Sequence, residues 1–294
     1  MMRSLYSAVS GLRNHQTRMD VIANNIANVN TVGYKTSRVV FQDIFSQTSR
    51  SASGSTGIIG GTNPIQIGLG ITLAAIDVIQ TESAFARSDR PLDFMISGEG
   101  FFVVQTPTET LYTRAGNFYI DDDNYLVNSS GYYVMGYDEQ ELSDIDENTE
   151  LSKIKLAWED GNVETRYMNI SIDQNGKVTG KKIEVDYSSA PDVVVTETIE
   201  TIGYLTLATF NNTSGLEKAG ESLYRVSNNS GAATYSTPNT QGAGKLMGGG
   251  LEMSNVDLAN EFTDMIITQR GFQANSRSIT VSDTMLEELI NLKR

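Results

Sequence analysis

The two ends of this chain carry the same apolar repeat, and that repeat limits the possible folds more than any other feature of the sequence. From Leu258 to Ile290, residues recur at alternating spacings of four and three over nearly five heptads, and most of them are apolar. The same spacing starts at Leu5 and continues to Ile26. No proline and only one glycine, Gly271, interrupts the C-terminal run. Both ends are therefore predicted to form long amphipathic helices, and each helix is the simplest partner for the other.

Short polar segments predict where these helices begin and end. Ser254 and Asn255 precede the C-terminal repeat and supply a candidate N-cap, after which Asp257 places negative charge in the first turn. Asn28, Asn30 and Gly33 mark the end of the N-terminal helix, because these residue types favour helix termination. The linker and sheet elements are expected to lie between these two points.

Two helices alone cannot bury this much apolar surface, so the remainder needs further partners. Copies of the same chain supply such partners most simply, although each helix could instead pack on the middle of its own chain. Two pairs of asparagines, Asn24-Asn25 and Asn28/Asn30, leave two interpretations open: a frayed helix end, or buried side chains that fix the register between packed helices. The residues predicted to form the helical seam between subunits are Leu5, Val9, Leu12, Met19, Ile22, Asn25, Ile26, Asn28, Leu258, Phe262, Met265, Ile266, Phe272, Ile279, Leu286 and Ile290.

The charge composition excludes several classes of partner. The chain has 22 basic and 36 acidic residues, a formal net charge of −14, which argues against binding to nucleic acid or to an anionic membrane surface. Residues 138–200 hold 16 of the acidic and 6 of the basic side chains, so this stretch is expected to be well solvated. The absence of cysteine excludes disulfides and thiolate chemistry. We expect neither a secretory signal peptide nor membrane insertion, since no continuous apolar run of the required length occurs.

The middle of the chain has the short, alternating patterns of β-strands. The Asn175-Gly176 pair predicts a hairpin with a type I′ turn inside the acidic stretch, which is interpreted as a small inserted β-domain. The predicted fold class is α+β, with paired terminal helices and a central antiparallel β-domain. The predicted divisions are a terminal helical domain of residues 1–33 and 251–294, a linker of 34–65, a central β-domain of 66–137 and 201–250, and an inserted outer β-domain of 138–200.

The sequence offers no set of residues for catalysis. The one histidine, His15, lies on the N-terminal helix, and no second histidine or cysteine is present to build a triad or a zinc site. The acidic run that ends at Asn124 resembles a calcium loop only superficially, because it lacks the glycine and the distal glutamate; an acidic hairpin turn is predicted instead. We therefore predict no catalytic residue, no metal site and no cofactor.

Four ordered motifs resemble the flagellar rod and hook protein family. The first is the run ANNIANVNTVGYK at 23–35. The second pairs LDFMISGEGFF at 92–102 with YTRAGNF at 112–118. The third is NNTSGL at 211–216, and the fourth joins LEMSNVDL at 251–258 to QRGFQANS at 269–276. Residues 138–200 contribute nothing to this resemblance.

The resemblance implies a structural protein rather than an enzyme. The stretches 32–43 and 256–263 look more like the flagellar hook protein, while the small size of the insert keeps the distal rod protein as the alternative. Either member implies a tubular homopolymer of the flagellum that transmits torque, neighbouring rod or hook–filament junction proteins, and passage through the flagellar export apparatus without a cleaved signal peptide. A secreted β-rich adhesin or enzyme, in which the helices serve only as a stalk, is the alternative from a different class.

Overall fold

The chain folds into two compact units, each formed from segments that are distant in sequence. The computed structural model describes residues 2–55, 60–137, 151–160, 163–186 and 194–292. The first of the two units, called the helical unit, comprises Met1–Val29, Thr36–Ile79 and Val256–Arg294. The second, called the β unit, comprises Asn30–Lys35 and Gln80–Asn255. The predicted α+β class is confirmed: long helices lie at both ends of the chain and antiparallel sheet lies between them.

The helical unit contains both helices, which begin and end close to the predicted positions. The cap of the C-terminal helix differs from the prediction, because the chain remains extended past Ser254 and Asn255. Asp257 is the N-cap residue, and its Oδ1 accepts a hydrogen bond from the backbone N–H of Ala259 at 2.9 Å. The elements of this unit are α1 (Met2–Ala27), β1 (Ser37–Asp43), β2 (Ser46–Arg50), β3 (Ile65–Gly68), β4 (Ile71–Val78) and α2 (Leu258–Asn291).

Two antiparallel strand pairs accompany the helices. β1 pairs with β4, and β2 pairs with β3, so the segment predicted as a linker contains strands. α1 packs on the β1–β4 pair, where the amide of Asn14 donates to the carbonyl of Ile71 at 2.7 Å. The β2–β3 pair has few buried side chains, which explains why its Ser- and Gly-rich sequence carries no clear strand signal.

The β unit contains one large antiparallel sheet and two separate strand pairs. Its strands are β5 (Phe85–Arg87), β6 (Phe94–Ser97), β7 (Phe101–Gln105), β8 (Thr110–Thr113), β9 (Tyr119–Ile120), β10 (Leu126–Val127), β11 (Tyr133–Tyr137), β12 (Ser152–Lys153), β13 (Ala157–Asp160), β14 (Val163–Ile172), β15 (Lys177–Asp186), β16 (Val194–Leu205), β17 (Leu207–Thr209), β18 (Glu217–Gly220), β19 (Leu223–Arg225), β20 (Thr234–Ser236), β21 (Lys245–Gly248) and β22 (Gly250–Glu252). The main path of the large sheet runs β13-β14-β15-β16-β11-β7-β8-β19-β18, and the separate pairs are β6 with β21 and β5 with β22.

The β14–β15 hairpin forms where the sequence predicts it, but its turn is of another type. The backbone N–H of Gly176 bonds to the carbonyl of Asp173, and Gly176 has a φ of +77°. A type I′ turn needs positive φ at both central residues, and Asn175 does not have it. The type I′ prediction is therefore wrong, and Gly176 alone takes the left-handed conformation.

The main apolar core of the β unit draws on distant parts of the chain. Phe94, Phe102 and Phe118 are at most 1% exposed, and the rings of Phe102 and Phe118 meet edge to face at 5.0 Å. Ile154 and Leu156 belong to the same cluster and are 4% and 3% exposed. These two residues come from the stretch predicted as an inserted domain, whose boundaries stay a prediction.

Replacing Leu156 with alanine tests those boundaries. Because Leu156 is buried in the cluster that includes Phe94, Leu156→Ala is expected to lower the free energy of unfolding of the whole β unit by about 2–5 kcal/mol. Urea unfolding would be followed by near-UV circular dichroism of the tyrosines and by fluorescence of Trp158, the one tryptophan. Ile199→Ala, at a side chain that is 83% exposed, is the control. A shift of the tryptophan transition alone would indicate a separately folding insert.

Candidate subunit interface

α1 and α2 pack against each other in antiparallel directions. Gly11 faces Asn275, and four residues further along α1 His15 faces Gly271. A Cβ atom on Gly11 would lie 2.6 Å from Nδ2 of Asn275, and one on Gly271 would lie 2.8 Å from Cε1 of His15. The helices approach this closely because both positions lack a side chain.

Polar side chains fix the register of this helix pair. The amide of Asn25 is 1% exposed; it donates to Glu261 Oε1 at 3.0 Å and to the carbonyl of Ser37 at 2.9 Å, and it accepts from the N–H of Ser37 at 3.0 Å. Arg18 forms an ion pair with Asp264 at 2.9 Å. Asn25 thus has the buried, register-fixing geometry that was one of the two interpretations of the asparagines.

Burial perturbs the titration of two groups at this contact. It raises the pKa of Glu261 above its ordinary value, an effect that the hydrogen bonds from Asn25 and Thr36 oppose. It also lowers the pKa of His15, with a smaller contribution from the nearby charge of Arg18. His15 is therefore neutral at pH 7 and packs as an uncharged ring, edge to face with Phe41 at 6.1 Å.

The predicted seam residues divide into three groups by burial. Ile22 and Asn25 are buried. The half-buried members are Leu5, Leu12, Met19, Ile26, Asn28, Met265, Phe272, Ile279 and Leu286. The exposed members are Val9, Leu258, Phe262, Ile266 and Ile290. Their assignment to contacts between subunits stays a prediction.

The face of α2 that α1 covers includes several positions outside the predicted apolar seam. Thr268, Asn275 and Ser282 recur at intervals of seven and point inward, with Thr268 wholly buried. These small and polar residues were missed because the apolar seam was assumed to face the partner helix. The signal that could have revealed them is their own heptad spacing, together with the glycines opposite.

Much of the apolar surface of α2 remains uncovered. Leu258, Phe262 and Ile266 form one ridge at intervals of four, with 39%, 50% and 52% of each residue exposed. In the described part of the helical unit, Ala8 and Ile22 are the only buried apolar side chains. The unit thus presents on its surface the side chains that would ordinarily form a core.

A buried ion cluster in the β unit joins three of the sequence motifs. Nζ of Lys35 lies 2.5 Å from Oε1 of Glu252, and both side chains have no exposed surface. Arg114 lies 3.7 Å from Oε2 of Glu252 and donates to the carbonyl of Gly98 at 2.9 Å. Burial lowers the pKa of Lys35, while Glu252 acts in the opposite direction and keeps the ammonium paired. This cluster could not be predicted from the sequence, because isolated charges in a sequence are ordinarily solvated.

No group of metal-binding side chains is found among the residues that the structure describes. Asp121–Asn124 form the predicted turn between β9 and β10, with Asn124 at a φ of +60°. In the part of the chain that the structure describes, no three His, Asp or Glu side chains converge as metal ligands would. Of the described helices, none combines the length and apolarity that a membrane crossing requires.

The raised pKa of Glu261, whose carboxylate accepts a hydrogen bond from Asn25, predicts a measurable pH dependence of stability. A carboxyl group with a raised pKa in the folded protein stabilises the fold at low pH and loses that contribution as pH rises through the raised value. Unfolding of the wild-type chain should therefore become easier over this window relative to Glu261→Gln. Carboxyl NMR titration should also show a further rise in the Glu261 pKa in Asn25→Ala, since that variant loses a hydrogen bond to the carboxylate. Asn24→Ala, at an exposed neighbour, is the control; an equal rise there would contradict the assignment.

Comparison with known proteins places these features in a family. The family model of the flagellar hook protein FlgE/F/G D1 domain matches residues 95–180, that of the flagellar basal body rod FlgEFG protein C-terminal matches 247–292, and that of the flagella basal body rod protein matches 5–35. The first match extends into the acidic stretch, where the motif resemblance had found nothing.

The chain is 45% identical to the flagellar basal-body rod protein FlgG of Bacillus subtilis and 31% identical to the flagellar hook protein FlgE of Treponema pallidum, each over 100% of both chains. FlgG of Caulobacter vibrioides is 34% identical over 99% of this chain and 100% of its own. The chain therefore belongs to the flagellar rod and hook protein family, whose members are structural.

Proposed function

We propose that the chain is a structural subunit of the distal rod of the flagellar basal body, and that it polymerises with copies of itself into a tube. The uncovered apolar surface of α2 carries this proposal. Each half-exposed side chain of the Leu258, Phe262 and Ile266 ridge would gain roughly 1 kcal/mol on full burial. Repeated in every subunit, a contact of this kind that does not close on itself generates an open helical assembly.

The relatives favour assignment to the rod. The motifs alone had favoured the hook. The Bacillus FlgG aligns over 295 positions, so it matches the 294 residues of this chain almost one for one. The Treponema FlgE aligns over 463 positions, so the hook protein carries a long segment without a counterpart here. The hook remains the second candidate, because identity to that protein still extends over the whole chain.

The proposed partners and location follow from this role. The subunit would contact neighbouring rod and hook components, and it would reach its position through the flagellar export apparatus without a cleaved signal peptide. The motifs and the family membership support this part of the proposal. No catalytic step is assigned, and the work of the subunit is mechanical: it carries torque through its contacts.

A charge placed on the exposed ridge should prevent polymerisation. Phe262→Asp would bury an unpaired carboxylate in each contact between subunits, at a cost of several kcal/mol. We expect loss of tubes in electron micrographs with unchanged near-UV circular dichroism from the β unit. Thr263→Asp adds the same charge at the next exposed position and is the matched control. Normal tubes from Phe262→Asp would show that this ridge is not an assembly contact.

Immunogold labelling distinguishes the rod from the hook. Antibody raised against the purified chain would be applied to isolated hook–basal bodies whose outer rings have been removed. The proposal predicts gold along the straight segment next to the rings. Gold along the curved segment beyond them would support the hook instead, and gold on neither would contradict both candidates.

A further inference from the structure

A groove with an apolar wall and one basic residue lies on the side of α1 that faces away from α2. It encloses about 390 Å³ between α1, the residues after β1 and the start of β4. Its main lining residues are Tyr6, Val9, Arg13, Ile44 and Ile71. Tyr6, Val9 and Ile44 are 67%, 38% and 36% exposed, so the groove is open in the isolated chain.

The chain's own α2 is not placed to fill this groove. Tyr6, Val9 and Arg13 follow intervals of three and four and so share one line along α1. Gly11 and His15, which face α2, lie on a different line on the other side of the helix. Neither of the two long helices that the structure describes fills the groove, so a helix that docks there would come from another molecule.

The C-terminal part of α2 presents a surface of matching character. Met285, Leu289 and Leu292 lie on one face at intervals of four and three, and they are 50%, 50% and 82% exposed. Glu288 shares this face, at i+3 from Met285 and i−4 from Leu292. We call these four residues the C-terminal ridge.

Charge complementarity selects the occupant. Arg13 in the groove and Glu288 on the ridge have no ion-pair partner in the described part of the chain. The ridge is apolar with one flanking carboxylate, and the groove is apolar with one guanidinium, so the two surfaces are complementary in both character and charge. Pairing of the two charges beside the apolar contact would also fix the orientation of the ridge in the groove.

We propose that the C-terminal ridge of one copy docks in the α1 groove of the next copy, with Glu288 paired to Arg13. This inference rests on the proposed self-assembly and names one of its contacts. Groove and ridge are different surfaces, so the contact is head to tail and leaves a free groove at one end and a free ridge at the other. Each added subunit therefore meets the same unfilled site.

Cysteine cross-linking tests the contact directly, because the natural chain contains no cysteine. Val9→Cys and Leu289→Cys chains would be mixed, polymerised and oxidised, and the proposal predicts a covalent dimer between the two variants. Asp20→Cys, exposed on α1 outside the groove, replaces Val9→Cys as the control. Tubes without the Val9–Leu289 cross-link would overturn this inference and leave the polymer intact as a proposal. Failure of the wild-type chain to polymerise would overturn both.

Charge reversal provides a second test that does not depend on a disulfide. Arg13→Glu would bring two carboxylates together and should raise the critical concentration for polymerisation about tenfold at low salt. Adding Glu288→Arg to the same chain should restore it. Glu287→Arg, on the neighbouring residue but off the ridge, is the matched control and should not. No effect of Arg13→Glu, or equal rescue by both arginines, would contradict the pairing.

Discussion

The shortage of buried apolar surface in the helical unit is the constraint on which the rest of this structure depends. The β unit has a large apolar core around Phe94, Phe102 and Phe118, each at most 1% exposed. In the described part of the helical unit only Ala8 and Ile22 are buried among the apolar residues. A long helix pair with so little buried apolar surface gains little stability from its own chain. Neighbouring subunits that cover this surface would stabilise the folded helices further, by mass action. Folding of the ends and assembly are thereby linked.

The contact between α1 and α2 supplies alignment rather than strong adhesion. Glycines at Gly11 and Gly271 allow close approach, and the Asn25–Glu261 hydrogen bond sets the register. Such a polar contact tolerates few alternative alignments, because a shift would leave one N–H of the buried Asn25 amide without its acceptor on Glu261. The larger side chains are left on the outside of the pair. The exposed apolar side chains of such a subunit are preorganised for contact with neighbouring subunits.

The sequence was sufficient for the fold class but not for the inward face of the helices. Strict heptad spacing of apolar residues does not include Thr268, which the structure turns inward, and the predicted seam residue Phe262 is half exposed in the single chain. Hydrophobic periodicity finds the apolar side of a helix but does not say which partner covers it. The buried pair of Lys35 and Glu252 was likewise beyond reach, since the two residues are 217 positions apart and each alone resembles a surface charge. The motifs favoured the hook protein, whereas the alignment lengths of the relatives favour the rod.

The ion pair of Lys35 and Glu252 also joins the first and last segments of the β unit. The backbone N–H of Gly33 bonds to the carbonyl of Glu252, so the chain entering the β unit is held by the chain leaving it. Both side chains have no exposed surface, so an ammonium buried here without the carboxylate would carry a large desolvation cost. The two residues are 217 positions apart in the sequence. The β unit therefore cannot bury Lys35 favourably until the segment that carries Glu252 has joined it.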